Sequence, residues 1–282
     1  MSHPSNPATE RVVGFAGQRL RLRSAAPEVI QAVDFLFAPH VVDAHADDSP
    51  GLDVHRTAEA YHFTGPGDCT PSLVRLDVLD VVLSQTILSR LVEQDACHLM
   101  LHAAALECAG RGILCVAAAG CGKTTLTAWL LGDGCRYLTD ELVAIDTEVT
   151  MRGLSRPLNV KASGLDLVRD FPWLAKDLAR ARTSGQVTLI PRGDAWLSPL
   201  PISALIFPRF TANAEFAVEA LTVGQCAASL MSSLLNARNL PKHGLPRATA
   251  LARQVPAFAL RYGRLTDVSS WLANLFNGQE CR

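Results

Sequence analysis

The sequence predicts a mixed α/β (α+β) fold organised around one phosphate-binding loop, with a small α+β unit ahead of it. Three observations carry this expectation. Residues 113–131, ILCVAAAGCGKTTLTAWLL, run from an apolar stretch through small residues into Gly122-Lys123-Thr124 and a helical pattern. That is the strand, loop and helix layout of a phosphate-binding loop, whose N–H groups converge on an anion that the helix dipole favours. Short apolar runs of strand length recur after the loop, interleaved with helical stretches. Before about residue 95 the chain carries strands and helices of its own.

In chain order, residues 1–10 read as a disordered tail. Val12 to Ala16 and Arg19 to Arg23 read as two strands about Gly17-Gln18, the second alternating leucine with arginine as a half-wet strand does. Pro27 opens a helical stretch with apolar residues at Val29, Ile30, Val33, Phe35 and Leu36. An acidic, Gly/Pro-punctuated loop follows. Asp43, His45, Asp47 and Asp48 lie there in a spacing that fits no metal-ligand template, so they read as solvated. Tyr61 to Phe63 reads as strand, residues 65–68 as a turn, and Ser72 to Glu93 as one long helix. The apolar run from His98 to Leu106 reads as a strand, turning at Gly110-Arg111-Gly112 into the strand that feeds the phosphate loop. Gly132-Asp133-Gly134 closes the loop helix. Arg136 to Thr139 is a short strand ending on Asp140-Glu141. Later strands are expected at 187–190, 202–207, 216–221 and 258–262, and helices at 164–171, 222–235, 245–255 and 266–276.

At 282 residues the chain can bury a substantial core, and its 49% hydrophobic and 19% charged composition is ordinary for a globular protein. A formal net charge of −1 gives no support for a nucleic-acid partner. No apolar stretch reaches the roughly 18 residues of a membrane span, and the polar N-terminus lacks a signal core. A cytoplasmic location with no membrane partner is the expectation. The eight cysteines include no C-x-x-C pair and read as reduced, mostly buried thiols. Cys121, inside the loop, reads as sensitive to alkylation or oxidation.

Phosphoryl transfer needs phosphates held, a metal placed and a group beside the attacking oxygen. Ala118, Ala119, Gly120, Cys121, Gly122, Lys123, Thr124 and Thr125 form the candidate nucleotide cradle. Lys123 reaches the β- and γ-phosphates of ATP in this reading, and Thr124 holds Mg²⁺. Asp140 and Glu141 supply the acidic element: one carboxylate for the metal, the other for the acceptor's proton. Thr124, Glu141 and Asp140 are thus the candidate metal ligands. His102, one strand before the loop, is a further catalytic candidate. Arg156, with Lys161, Arg192 and Arg209 behind it, is a candidate to neutralise the transferred phosphate.

His102, residues 117–125 and Tyr137-Leu138-Thr139-Asp140-Glu141 resemble the core of the HPr serine kinase/phosphorylase superfamily. The chain is most similar to the HPr-kinase-related proteins of peptide-modification gene clusters, including lasso-peptide serine kinases. Residues 156–161, 205–210 and 260–263 add to the resemblance. It implies a core like that of phosphoenolpyruvate carboxykinase, with mixed, curved β-structure and the phosphate loop at its centre. Along the chain, the residues read as a tail (1–10), a small N-terminal α+β unit (11–95) and, from the change of pattern after 95, a kinase domain (96–282). The resemblance implies that Asp140 is the base on an acceptor serine, that the acceptor is a small peptide or protein, and that the chain forms homo-oligomers. Two alternatives stay open: a kinase of a small metabolite such as a sugar or nucleoside, and a non-catalytic ATP-binding sensor.

Overall fold

Residues 8–43, 49–65, 72–118 and 120–276 are described by a computed structural model of the chain. His45, Asp47 and Asp48 of the acidic loop, Pro66, Gly67 and Asp68 of the expected turn, Cys69, Cys281 and the loop residue Ala119 lie outside these described residues. The chain begins with a hairpin of β1 (Thr9–Phe15) and β2 (Gln18–Ser24). Thr9 and Glu10, expected within a disordered tail, pair with Ser24 and Arg23. Helix α1 (Pro27–Phe37) has proline in its first turn, where the missing N–H costs nothing. Strands β3 (Val41–Val42), β4 (Gly51–Arg56), β5 (Ala60–Thr64) and β6 (Ser72–Arg75) complete a six-stranded sheet of order β3-β1-β2-β4-β5-β6.

The single long helix expected over 72–93 is corrected to strand β6, a short 3₁₀ turn and helix α2 (Leu79–Gln94). The physical reason is period-2 alternation: Leu73 is 69% exposed and its neighbour Val74 4%, as on the two faces of a strand. Helices α1 and α2 pack on each other and bury Val33, Leu36, Leu83, Ile87 and Leu91 with Leu22 and Val54 of the sheet. Each such side chain contributes roughly 1.5–3 kcal/mol by leaving water. Met100, Leu142 and Leu154 from the following sheet join the same apolar cluster.

The second sheet holds the phosphate loop. It begins with β7 (Leu99–His102), β8 (Ala104–Cys108), β9 (Arg111–Cys115), helix α3 (Lys123–Gly132), β10 (Arg136–Thr139), β11 (Leu142–Ile145) and β12 (Thr150–Gly153). The run 98–106, expected as one strand, breaks at Ala103. Its first half pairs with β11 and its second with β10 and β9. The β8–β9 turn is Ala109-Gly110, both at positive φ (52° and 79°), one residue earlier than expected. Two central residues at φ > 0 match the twist of a tight hairpin. A three-stranded sheet of β13 (Leu158–Lys161), β14 (Arg182–Ser184) and β15 (Val187–Ile190) follows, with α4 (Ala162–Arg169) and α5 (Ala175–Leu178) between.

The chain then returns through β16 (Leu200–Phe210), β17 (Ala217–Ala220), α6 (Val223–Ser232), α7 (Leu245–Gln254), β18 (Ala257–Tyr262) and α8 (Leu265–Phe276). Strand β16 lies parallel to both β9 and β18, whereas the other pairings of this sheet are antiparallel. The fold is therefore mixed α/β, as expected. Alternation along β9 shows its layers: Ile113 and Cys115 face α3 and α8, while Leu114 and Val116 face α6 and α7. A strand buried on both faces reads as a continuous apolar run, which is how residues 113–116 look.

One cysteine expectation is corrected. Cys108 at the end of β8 and Cys135 after α3 form a disulfide, where reduced thiols were expected. The pair comes together because β8 neighbours β10, whose first residue is Arg136. Cys97, Cys115, Cys121 and Cys226 are free thiols.

Candidate active site

The phosphate loop leaves β9 at the carboxyl end of that strand, beside the carboxyl ends of the parallel strands β16 and β18. Crevices of this kind are where open α/β sheets bind ligands. The loop's positive φ angles fall on Gly120 and Gly122, both at 87°, and not on Ala117. Gly122 is the N-cap of α3. A Cβ there would sit 3.2 Å from Phe210 Cβ and 3.3 Å from the Tyr262 hydroxyl, the last residues of β16 and β18. Backbone bonds hold the loop at both ends: Val116 N–H donates to Ile206 O (2.8 Å) and Phe210 N–H to Cys121 O (3.4 Å). The first N–H groups of α3 have no partner within the helix and point out of its start.

Lys123 and Thr124 open α3. The Lys123 ammonium donates to His102 Nε2 at 2.8 Å, across from the end of β7. An ammonium only donates, so Nε2 is the accepting nitrogen of this contact and Nδ1 carries the ring proton. That Nδ1 faces Glu141 Oε1 at 3.3 Å. Glu141 Oε2 accepts from Arg156 Nη2, and Arg156 Nη1 donates to Ser84 Oγ of α2 at 2.8 Å. A chain of polar contacts thus runs from the N-terminal helix pair to the phosphate-loop lysine. Burial would raise the Glu141 carboxyl, but the His102 hydrogen bond and the Arg156 charge overcome it and hold it at about 2. Burial pulls the Lys123 ammonium below its ordinary range, against the opposing charges of Asp140 and Glu141.

Asp140 has a separate set of hydrogen-bond partners. Its Oδ1 accepts from the Tyr137 hydroxyl at 2.9 Å, and its Oδ2 faces Thr124 Oγ1 and the Asn159 N–H, each at 3.4 Å. Asp140 is 2% exposed. Burial pushes its carboxyl up, with Arg156 opposing and Glu141 adding to the rise. A register shift in the β8–β10 ladder between Tyr137 and Thr139 precedes Asp140-Glu141. Irregularities of this kind re-aim side chains at the edge of a site.

Of the residues singled out from sequence, Gly120, Cys121, Gly122, Lys123, Thr124, His102, Asp140, Glu141 and Arg156 come together. Ala118 is exposed on the loop, and Thr125 lies one residue further into α3. Arg156 turns inward onto Glu141 and Ser84. Arg192 pairs with Asp177 and Asp194, and Lys161 and Arg209 are exposed. Three members of the site were not anticipated: Ser84, Asn159 and the Tyr137 hydroxyl. Ser84 had a signal, a polar residue on the same helix side as Leu83, Ile87 and Leu91.

Thr124 Oγ1 and Asp140 Oδ2 are hard oxygen donors at the helix start, the type that suits Mg²⁺, which keeps most of its ligands as water and phosphate. Among the described residues no group of three or more His, Cys, Asp or Glu could hold a metal by itself. Among them too, no helix is long and apolar enough to cross a membrane. An open cleft of about 670 Å³ lies beyond Phe210 and Tyr262, between the 213–216 segment and α8, with Phe216, Trp271 and Asn274 in its lining.

No family model and no curated protein matches the chain. Among solved structures, the Hpr(Ser) kinase/phosphatase from Coxiella burnetii is similar at a TM-score of 0.32 and 10% identity, over 64% of this chain and 97% of that one.

Proposed function

We propose that this chain is an ATP-dependent phosphotransferase that moves the γ-phosphoryl group to an alcohol, in the manner of the HPr serine kinase superfamily. One observation carries the reading: Lys123 and Thr124 at the start of a glycine-capped helix, with Asp140 set against Thr124 and Glu141 against His102. A loop that only senses nucleotide has no need of buried carboxylates and an imidazole beside its lysine. The loop N–H groups and the Lys123 ammonium would hold the phosphates. Thr124 and Asp140 would hold Mg²⁺, which when bound offsets charge on the β- and γ-oxygens. Glu141 has both oxygens engaged by His102 and Arg156, so its part is to orient neighbours. Lys123 then stabilises charge on the transferred group, a role worth several kcal/mol of barrier in sites of this type.

The acceptor in this reading is a serine of a small peptide or protein. The test is γ-labelled ATP offered with serine peptides, sugars, nucleosides or water alone. Label on a serine peptide is the expected outcome. Label confined to sugars or nucleosides would move the assignment to a metabolite kinase, and tight ATP binding without release or transfer would leave a sensor.

A further inference from the structure

We infer that the cleft between the 213–216 segment and α8 holds the nucleoside half of the nucleotide whose phosphates the loop takes. This rests on the phosphotransferase reading above and says where base and ribose lie. Strand order sets the direction. The loop rises from β9 in a sheet that runs β10-β8-β9-β16, with β18 beside β16. Strand β8 is antiparallel to both β9 and β10, so Asp140 and Glu141, which follow β10, lie at the loop's end of the sheet and on one side of it. Phe210 and Tyr262 end β16 and β18 on the other side, 3.2 and 3.3 Å from where a Gly122 Cβ would lie. A nucleotide whose γ-phosphate faces the carboxylates therefore carries its nucleoside toward β16 and β18. The cleft opens one residue beyond that wall, at Gly263. Thr211 N–H donates to Tyr262 O at 3.0 Å and Ala214 N–H to Thr211 O at 3.1 Å, which folds a turn over the end of β18. A Cβ on Gly263 would stand 2.6 Å from the Ala214 carbonyl oxygen, so only glycine lets turn and strand end meet at the cleft's inner edge. At about 670 Å³ the cleft has the size of a small-molecule site.

The lining suits a nucleoside and turns phosphate away. Phe216 and Trp271 give it an aromatic wall, and Phe258 packs edge-on against Trp271 at 5.2 Å, which fixes that ring. Aromatic side chains take the face of any base. The amides of Asn213 and Asn274 can donate and accept at a base edge, and neither side chain has a partner among the described residues. Asn213 holds a φ of 60°, a left-handed backbone that asparagine adopts more readily than most residues. Glu215, also without a partner among them, can accept from ribose hydroxyls, as acidic side chains do in dinucleotide sites. Asp267 is held by Arg264 at 3.0 Å. Glu215 and Asp267 against Arg264 leave the cleft negative. The triphosphate therefore stays on the loop, and the uncharged base and ribose enter the cleft.

Full-length protein tests this by titration with two probes, each with Mg²⁺: a fluorescent ATP analogue with an aminopurine base, and inorganic tripolyphosphate, which reads the loop alone. Ser270 is exposed on α8 in the cleft lining, so Ser270→Trp fills the cleft from the surface. It should weaken the analogue about tenfold or more and leave tripolyphosphate within about threefold of wild type. Glu215→Ala combined with Asn274→Ala removes two exposed side chains and leaves the packing intact. It should also weaken the analogue about tenfold, with tripolyphosphate unmoved. Should Ser270→Trp lose tripolyphosphate as well, the double variant decides alone. Analogue affinity within about threefold of wild type, in either variant that keeps tripolyphosphate, overturns the cleft assignment and leaves the phosphotransferase reading standing. Loss of both probes by the double variant overturns it too, because the cleft would then shape the loop and not take the nucleoside. Wild type that binds neither probe removes the phosphotransferase reading itself, and the cleft assignment with it.

Discussion

Gly122 carries two constraints at once. Its φ of 87° lies in the left-handed region, and a Cβ would press on Phe210 and Tyr262 at 3.2 and 3.3 Å. The Phe210 atom is its Cβ, fixed to the backbone of β16, and the Tyr262 hydroxyl belongs to a ring buried in the core. The backbone conformation alone costs an L-residue about 1–2 kcal/mol. Gly122→Ala should therefore lower unfolding free energy by about 1–3 kcal/mol and weaken nucleotide binding more than tenfold, read by urea denaturation and by titration of the fluorescent analogue. Unchanged binding would mean that this turn does not shape the cradle. At this scale the loop was legible because its chemistry is local: Lys123 and Thr124 follow Gly122 directly. The Lys123–His102 contact was not, since it joins residues 21 apart across neighbouring elements. Arg156 misled for a related reason. An arginine in a polar loop reads as a phosphate ligand, and only the tertiary fold shows its guanidinium turned onto Glu141 and Ser84.

At the scale of elements, the segment after α1 acts as a strut. His40 Nε2 accepts the Ser155 N–H at 2.8 Å, one residue before Arg156, and its ring also bonds the Gly14 carbonyl. Phe15 packs edge-on against it at 5.8 Å. Burial lowers the His40 imidazole from 6.5 to about 4. The unfolded chain therefore takes up this proton first. The stability that His40 contributes is complete above pH 6.5 and is lost as pH falls through about 4. Thermal unfolding followed from pH 7 to pH 4.5 should show wild type losing stability more steeply than His40→Gln. Parallel curves for the two would show that His40 carries no such linkage. The strut was invisible beforehand because a histidine beside Pro39 in a loop gives no sign of a partner 115 residues on. Strand β6 was misread for a different reason: four residues of alternation, Ser72 to Arg75, run straight into a true helix and were absorbed into its period. The strands and helices expected from residue 187 onward are present, whereas β12, β14 and α5, each four residues or fewer, are too short to show a period and were not anticipated.

For the whole molecule, the sheet that carries the loop is packed on both faces, and the six-stranded sheet reaches its site through α2 and the His40 strut. The mixed α/β architecture was readable from the loop and from the runs around it. The sheet order and the parallel course of β16 against β9 and β18 were not, since pairing partners lie up to about 90 residues apart and no local pattern encodes them. The Cys108–Cys135 disulfide escaped notice for the same reason, its halves being 27 residues apart without a spacing signature.

In the proposed function, the loop, its lysine and the facing acidic pair use the γ-phosphate of a nucleoside triphosphate. Loss of γ-phosphate from Mg²⁺·ATP, measured for the full chain and for Lys123→Ala side by side, tests it most directly. Wild type should consume ATP by release or transfer, and Lys123→Ala should do so at least about 10²-fold more slowly. Equal rates for the two proteins, or no consumption by wild type with any alcohol or with water, would contradict it.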